Sequence, residues 1–280
     1  MSTKLNKQII ITGPTSGIGK AIALGLSALG AQLILGCRDV GRGEQTAEEI
    51  SRQTGATAME VMPVDTSSRQ SIRAFAQQYR AKYSRLEVLI NNAGMNRGTL
   101  PREKSVDGLE LTFATNVLGY YLLTRELLDH LKAGAPARII NVASEFASDL
   151  DLNDLQFERR PFESRKAYAQ SKACDRLLTW ALARRLEGSR VTANAMTPGL
   201  VVETGLFRHA PPELIAQLRQ RSDRTSKQGA DTAVWLASSA EVEGVTGKFF
   251  GDRREIPCEF RDTAAEEKLW NICEGLAGSA

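Results

Sequence analysis

Ile9-Ile10-Ile11-Thr12-Gly13-Pro14-Thr15-Ser16-Gly17-Ile18-Gly19-Lys20 decides the fold of this chain. Three consecutive isoleucines make a strand apolar on both faces, as a strand covered by helices on both sides must be. The glycine-rich turn after it opens directly into a helical pattern over residues 18–29. Glycines let the backbone turn tightly and approach a ligand with no Cβ in the way. The free N–H groups and positive dipole end of the helix then suit a phosphate. The spacing is GxxxGxG rather than GxGxxG. A glycine cluster alone says little, but after the first strand of a βαβ unit it marks a pyrophosphate-binding turn.

Outward from that turn, short apolar β-rich runs alternate with longer helical patterns. Residues 8–12, 32–36, 58–62, 86–91, 138–142 and 191–196 read as buried strands, and 18–29, 42–53, 67–83, 107–131 and 165–186 as helices. Such alternation demands parallel pairing through right-handed crossovers. The regularity loosens after Met196. A segment over 200–228 with Pro211-Pro212 lies on the substrate side, 230–237 looks helical, 248–251 reads as a last strand, and 262–276 as an amphipathic closing helix. No Pro/Ser linker or repeat divides the chain. The expectation is one α/β domain over 1–280 with its core at 8–251, a doubly wound Rossmann sheet of about seven parallel strands with helices on both faces.

Composition excludes several classes. Of 280 residues, 36 are Lys or Arg and 33 Asp or Glu, a net charge of +3. The two signs are interspersed with no long basic stretch, so no nucleic-acid partner is expected. The N-terminus, Met1-Ser2-Thr3-Lys4-Leu5-Asn6-Lys7-Gln8, has no apolar region for a signal peptide. No run of about 18 apolar residues could span a bilayer. A cytoplasmic location is expected, with Cys37, Cys174, Cys258 and Cys273 as reduced thiols, since they show no CxxC. His130 and His209 lack the neighbours of a metal site, so no metal is expected.

The end of the second strand chooses the nucleotide. An acidic residue there would favour NAD by bonding the ribose 2′-hydroxyl. This chain has Cys37-Arg38, about 20 residues past the glycine turn. A guanidinium suits a 2′-phosphate through forked, charge-assisted bonds, so NADP(H) is favoured. The rival is Asp39 in the acidic role, two residues beyond the expected place.

Tyr168-Ala169-Gln170-Ser171-Lys172 lies in a helical stretch, so Tyr168 and Lys172 share a face. A tyrosine with a pKa near 10 is too weak an acid for proton transfer near neutrality. An ammonium about 4 Å away contributes roughly 4 kcal/mol at an effective dielectric near 20, or about three pKa units before desolvation opposes it. A positively charged oxidised nicotinamide would push the same way. A YxxxK pair alone is common on helices. Its value comes from Asn141-Val142-Ala143-Ser144 after the fifth strand, Asn91-Asn92-Ala93-Gly94 after the fourth, and Asn116 in the next helix.

With these motifs in this order, the chain resembles the short-chain dehydrogenase/reductase family over about residues 8–251. The resemblance implies a catalytic set of Asn116, Ser144, Tyr168 and Lys172. Ser144 would bond the reacting oxygen, Tyr168 would exchange its proton, Lys172 would hold the nicotinamide ribose, and Asn116 would anchor a relay water. Cofactor contacts would come from Gly13, Thr15, Ser16, Gly17, Ile18, Gly19 and Arg38, from Asp65 and Thr66 near the adenine, and from Asn92, Ala93 and Gly94. Pro198, Gly199 and Val201 would close over the nicotinamide. Plainer readings stand beside these: Ser144 as a turn residue, Asn116 as a solvent-facing helix residue, Asp65 as a helix cap.

Within the family the chain is most similar to the retinol dehydrogenase branch, through Cys37-Arg38-Asp39, Ser71-Ile72-Arg73-Ala74-Phe75, Asp154-Leu155-Gln156, Lys268-Leu269-Trp270 and the 24 residues from Ser144 to Tyr168. That branch implies an apolar retinoid-like, steroid-like or aliphatic carbonyl or alcohol as small-molecule substrate, with Phe146, Leu150, Leu152, Leu155 and Phe157 as apolar surface, although ordinary packing explains such residues equally. Thr204-Gly205-Leu206-Phe207-Arg208 resembles a segment of light-dependent protochlorophyllide reductases, which reduce a ring double bond. A non-catalytic NADP(H)-binding regulator is the rival from another class. Relatives form a homodimer or homotetramer through the helices that here are 107–131 and 165–186.

Overall fold

Alternation along each strand sorts the core into two layers. Ile9 and Ile11, Leu33 and Leu35, Val88 and Ile90, and Ile140 pack into one cluster, and their neighbours Ile10, Ile34, Leu89 and Ile139 into the other. Successive side chains of a strand point to opposite faces, so runs apolar at every position bury both. In this computed structural model, which describes residues 5–278, the strands are β1 (Gln8–Thr12), β2 (Gln32–Cys37), β3 (Met59–Pro63), β4 (Val88–Asn91), β5 (Ala137–Val142), β6 (Val191–Met196), β7 (Phe249–Gly251) and β8 (Arg254–Glu255). Met1–Lys4, half of the polar leader, lie outside the described residues.

The sheet order is β3-β2-β1-β4-β5-β6-β7-β8, with β1 to β7 parallel. The order reverses between β1 and β4, the crevice where open α/β sheets bind ligands. The sheet has eight strands rather than about seven, because β8 turns back antiparallel on β7. Asp252 and Arg253 at that turn have φ of 49° and 58°. Side-chained residues rarely adopt such angles, and here Arg253 is held by its N–H to the Thr232 hydroxyl at 3.1 Å and by a Nε bond to Asp231 at 2.6 Å.

Helices α1 (Gly17–Ala28) and α9 (Ser226–Ser238) cover one face. The chain also forms α2 (Val40–Thr54) and α3 (Arg69–Lys82). The continuous helix expected over 107–131 is broken. Glu110 caps a short α4 (Leu111–Phe113) with both carboxylate oxygens, accepting from the N–H groups of Thr112 and Phe113 at 2.9 and 2.7 Å. A π-helical turn, Ala114–Leu118, follows, then α5 (Gly119–Glu126) and α6 (Leu128–Ala133). Such turns widen the helix by one residue and recur at functional sites.

Helix α7 (Ser164–Arg185) is buried all round over residues 167–183. Its outer side is covered by α10 (Thr263–Ala277), whose Leu269, Cys273 and Ala277 are fully buried. Arg69 and Arg73 donate to the last carbonyls of α10, Leu276 and Ala277, each at 2.8 Å. Much of the helix face offered for self-association is therefore used inside the chain. The substrate-side segment contains a 3₁₀ turn (Gly205–Phe207) and α8 (Pro212–Arg221). Among the described residues no helix is long and apolar enough to cross a membrane, and no cluster of His, Cys, Asp and Glu could hold a metal ion.

Candidate active site

A cavity of about 500 Å³ opens over the carboxyl ends of β1 to β5. Its floor is the glycine turn: Gly13, Thr15, Ser16, Gly17, Ile18 and Gly19 all line it. Gly13 has φ +66°, and a Cβ there would sit 2.9 Å from the Cα of Ala93. A Cβ on Gly19 would collide with the Gly13 carbonyl and the Asn92 amide. The turn is tied to the end of β4, for the Thr12 hydroxyl accepts from the N–H groups of Asn92 and Ala93 at 3.0 Å each, and the Asn92 side chain donates to the Thr12 carbonyl at 2.8 Å. These groups fit a dinucleotide: a close-approach glycine bed, a helix start, and a cavity long enough to run along several strand ends.

Arg38 and Arg42 line the next stretch, with Arg38 exposed. Asp39 also lines it, but its carboxylate is the N-cap of α2, accepting from Arg42 N–H at 3.0 Å. Asp65 and Thr66 follow along the wall. Asp65 faces the cavity and accepts from the N–H and hydroxyl of Ser67 at 2.9 and 2.7 Å, closing a turn ahead of α3 rather than capping it. Ser68 is the cap of α3. Of the trio after β6, Pro198 lines the cavity, whereas Gly199 packs against Arg224 and Val201 is buried beside Gly229.

At the inner end stand Tyr168 and Lys172, one turn apart on α7. Ser144 lies near enough to the Tyr168 phenol to favour its ionised form. The Ser144 hydroxyl accepts from the N–H of Phe146 at 3.0 Å, so Ser144 also serves as a turn residue. The Arg176 guanidinium donates to the Ser144 carbonyl while stacking 3.9 Å above the Phe249 ring. The Lys172 ammonium donates to the Val142 carbonyl at 2.9 Å and to Asp175 at 2.8 Å, and lies over the rings of Tyr120 and Tyr168 at 5.3 and 5.8 Å.

Asn116, in the π-helical turn, is wholly buried rather than facing solvent. Its amide donates to the Met95 carbonyl at 3.0 Å and the Ser171 hydroxyl at 2.9 Å, and its oxygen accepts from Met95 N–H at 2.9 Å. It braces the strand β4 exit against α7. With both donors committed, a relay water here could be held only through acceptors.

The acidity of the phenol runs against the simple charge argument. Burial raises the Tyr168 pKa above 10.0, and the lowering by Lys172 and Ser144 does not offset it. Asp175 adds to the rise. Lys172 is held charged above its ordinary value, because burial is outweighed by Asp175 and the two tyrosines.

Sequence reasoning missed the outer wall. Met95, Asn96, Arg97, Glu103, Leu111 and Thr115 line it with Leu206, Arg208 and His209. Of the five apolar loop residues, Leu155 and Phe157 are buried, Leu150 and Leu152 pack on the core, and Phe146 alone is largely exposed. None of the five lines the cavity.

Residues 7–214 match the short chain dehydrogenase family. The chain is a short-chain dehydrogenase/reductase. Retinol dehydrogenase 14 of Homo sapiens is 40% identical over 97% of this chain and 86% of its own length, and retinol dehydrogenase 12 of Mus musculus 38% identical over 96% and 86%. This oxidoreductase thus falls in the retinol dehydrogenase branch. The RhlG/NADP active-site complex of Pseudomonas aeruginosa shares the fold at TM-score 0.72 and 28% identity, over 88% of this chain and 95% of that one. A Sinorhizobium meliloti dehydrogenase/reductase does so at TM-score 0.71 and 26% identity, over 89% and 94%.

Proposed function

We propose that this short-chain dehydrogenase/reductase uses NADP(H) to interconvert a hydroxyl and a carbonyl on an apolar small molecule, with Tyr168 as the acid/base. The carrying observation is that Tyr168 lines the inner end of a dinucleotide-shaped cavity with the Lys172 ammonium 5.8 Å from its ring and Ser144 acting on its phenol.

A bound nicotinamide supplies or accepts the hydride. The chain's residues do the rest. The Ser144 hydroxyl orients the substrate oxygen and carries part of its developing charge. In reduction Tyr168 hands that oxygen its proton, and in oxidation it takes the proton back. The glycine turn would take the pyrophosphate, Asp65 and Thr66 the adenine side, Asn92, Ala93 and Gly94 the stretch beyond, and Lys172 the nicotinamide ribose. Pro198 would touch the cofactor, with Gly199 and Val201 shaping the loop behind it.

NADP(H) is favoured because Arg38 and Arg42 flank the wall while Asp39 is engaged as a cap. The RhlG complex contains NADP. An apolar substrate is supported by the retinol dehydrogenase relatives, and on the mixed outer wall Met95, Leu111 and Leu206 would offer it apolar contact beside Arg97, Glu103, Arg208 and His209. The segment that resembles protochlorophyllide reductases roofs the glycine turn, with Thr204 over Gly17, a placement that serves either chemistry. Self-association, if it occurs, is expected on a face other than the covered side of α7.

Turnover of a panel of ketones and aldehydes, retinaldehyde among them, tests this against a Tyr168→Phe control. Reduction by NADPH that collapses in the variant is expected. Tight NADPH binding with no carbonyl reduced above the control would instead favour a regulatory binding protein.

A further inference from the structure

Asp175 is buried to 1% exposure one turn beyond Lys172. Its Oδ2 accepts from the Lys172 ammonium at 2.8 Å, and its Oδ1 has no hydrogen-bond partner. A carboxylate kept in an apolar interior for scaffolding has both oxygens satisfied, because an orphaned lone pair there is costly. This one makes a single bond, to the cation beside the phenol.

We propose that Asp175 is a positioning residue for the reaction: it fixes the Lys172 ammonium and, by partly neutralising it, sets the pH at which Tyr168 yields its proton. The inference rests on Tyr168 being the acid/base. With one donor on the Val142 carbonyl and one on Asp175, the ammonium has a single donor left for the ribose side. A lone cation would act on the phenol at full strength, whereas a cation paired at 2.8 Å acts as a dipole whose field falls off faster with distance.

The surroundings leave Lys172 as the dominant partner. On α7 itself Arg176 is the other charge, and its guanidinium is drawn to the Ser144 carbonyl and the Cys258 sulfur. Tyr120 faces the pair from α5, Cys174 from α7 and Cys273 from α10, and burial keeps all three protonated by raising their pKa values. Asp175 is itself pushed up to about 6 by burial, against the pull of Lys172.

Asp175→Asn keeps the shape and removes the charge. The inflection of kcat/KM for alcohol oxidation against pH is expected to move down by about one unit, so that oxidation below the inflection speeds up about tenfold. Asp175→Ser, which replaces the carboxylate with a smaller neutral acceptor, is expected to move it the same way. Asp175→Glu, retaining the charge, is expected to restore the wild-type profile. A profile unmoved in Asn and Ser variants that fold and bind NADPH overturns the proposal.

Should the neutral variants not fold, the wild type decides. A difference titration of tyrosinate absorbance against Tyr168→Phe is expected to place Tyr168 above 10.0 in the cofactor-free protein. Ionisation well below that value would mean that Lys172 acts as a free charge, and the proposal fails. A Tyr168→Phe enzyme that keeps its turnover overturns the acid/base reading instead, and leaves the titration readable.

Discussion

Four strand ends lying side by side, those of β1 to β4, make the nucleotide half of the cavity, whereas connections far apart in the chain make its outer half. Gly13 to Gly19, Arg38, Asp65-Thr66 and Asn92 to Gly94 follow one another along a hydrogen-bonded sheet. The outer half joins the loop after β4 to the segment after β6: the Thr99 N–H and hydroxyl both donate to the His209 carbonyl, at 3.0 and 3.2 Å. There Arg97 pairs with Glu103 at 2.6 Å. The first half rests on neighbouring strand ends, braced by the Thr12 and Asn92 side chains, and the second on contacts between loops distant in sequence. Tyr168 and Lys172 stand where the two halves meet.

The sharpest break is at that junction. Tyr168→Phe should lower kcat by about 10²- to 10⁴-fold, with NADPH affinity nearly unchanged in a fluorescence titration. Disturbing only the nucleotide half, Gly19→Ala drives a methyl into the Gly13 carbonyl. Overpacking of this kind costs about 1–3 kcal/mol, so NADPH should bind about 5- to 150-fold more weakly, while KM for the carbonyl substrate at saturating NADPH stays put.

pH sharpens the contrast next. Because burial raises the Tyr168 pKa, the phenol is protonated at neutrality. Oxidation, which needs the phenolate, should rise about tenfold per pH unit below that pKa, whereas reduction should stay flat until the phenol ionises and then fall. A steady-state profile in both directions checks the two signs. Arg38→Ala should weaken NADPH about tenfold and leave NADH unchanged, as expected when one charge-assisted bond to a 2′-phosphate is lost. Equal affinities for the two nucleotides in the wild type would remove the preference. The smallest effect is on the outer half alone: Glu110→Ala deletes a double cap, costing about 1 kcal/mol and lowering Tm by about 2–4 °C, with NADPH affinity intact.

What was readable in the sequence followed from local physics. An isoleucine run buries both faces, and glycines before a helix make a phosphate bed, so the parallel sheet and its crevice are legible from 8–20 outward. The antiparallel β8 was not, since its turn uses Asp252 and Arg253 where a glycine or asparagine would have signalled it. The break in 107–131 escaped because a one-residue π expansion leaves apolar periodicity nearly intact, and Gly119 to Thr124 are all buried, so no polar face marks the register. The loop residues offered for the substrate were mostly core, because burial of an apolar side chain in a loop depends on what the rest of the chain brings over it.

By itself the sequence determined the frame and the chemical parts: which strands are buried, where a phosphate would sit, and that a tyrosine and a lysine share a helical face. Tertiary structure alone decided how those parts act. It wrapped α7 in α10, drew Lys172 onto Asp175, turned Asn116 inward, and reversed the expected sign of the Tyr168 shift. The reason is range. Strand and turn propensities are set by neighbours in the chain, whereas desolvation and ion pairing depend on every group that folding brings within a few ångströms.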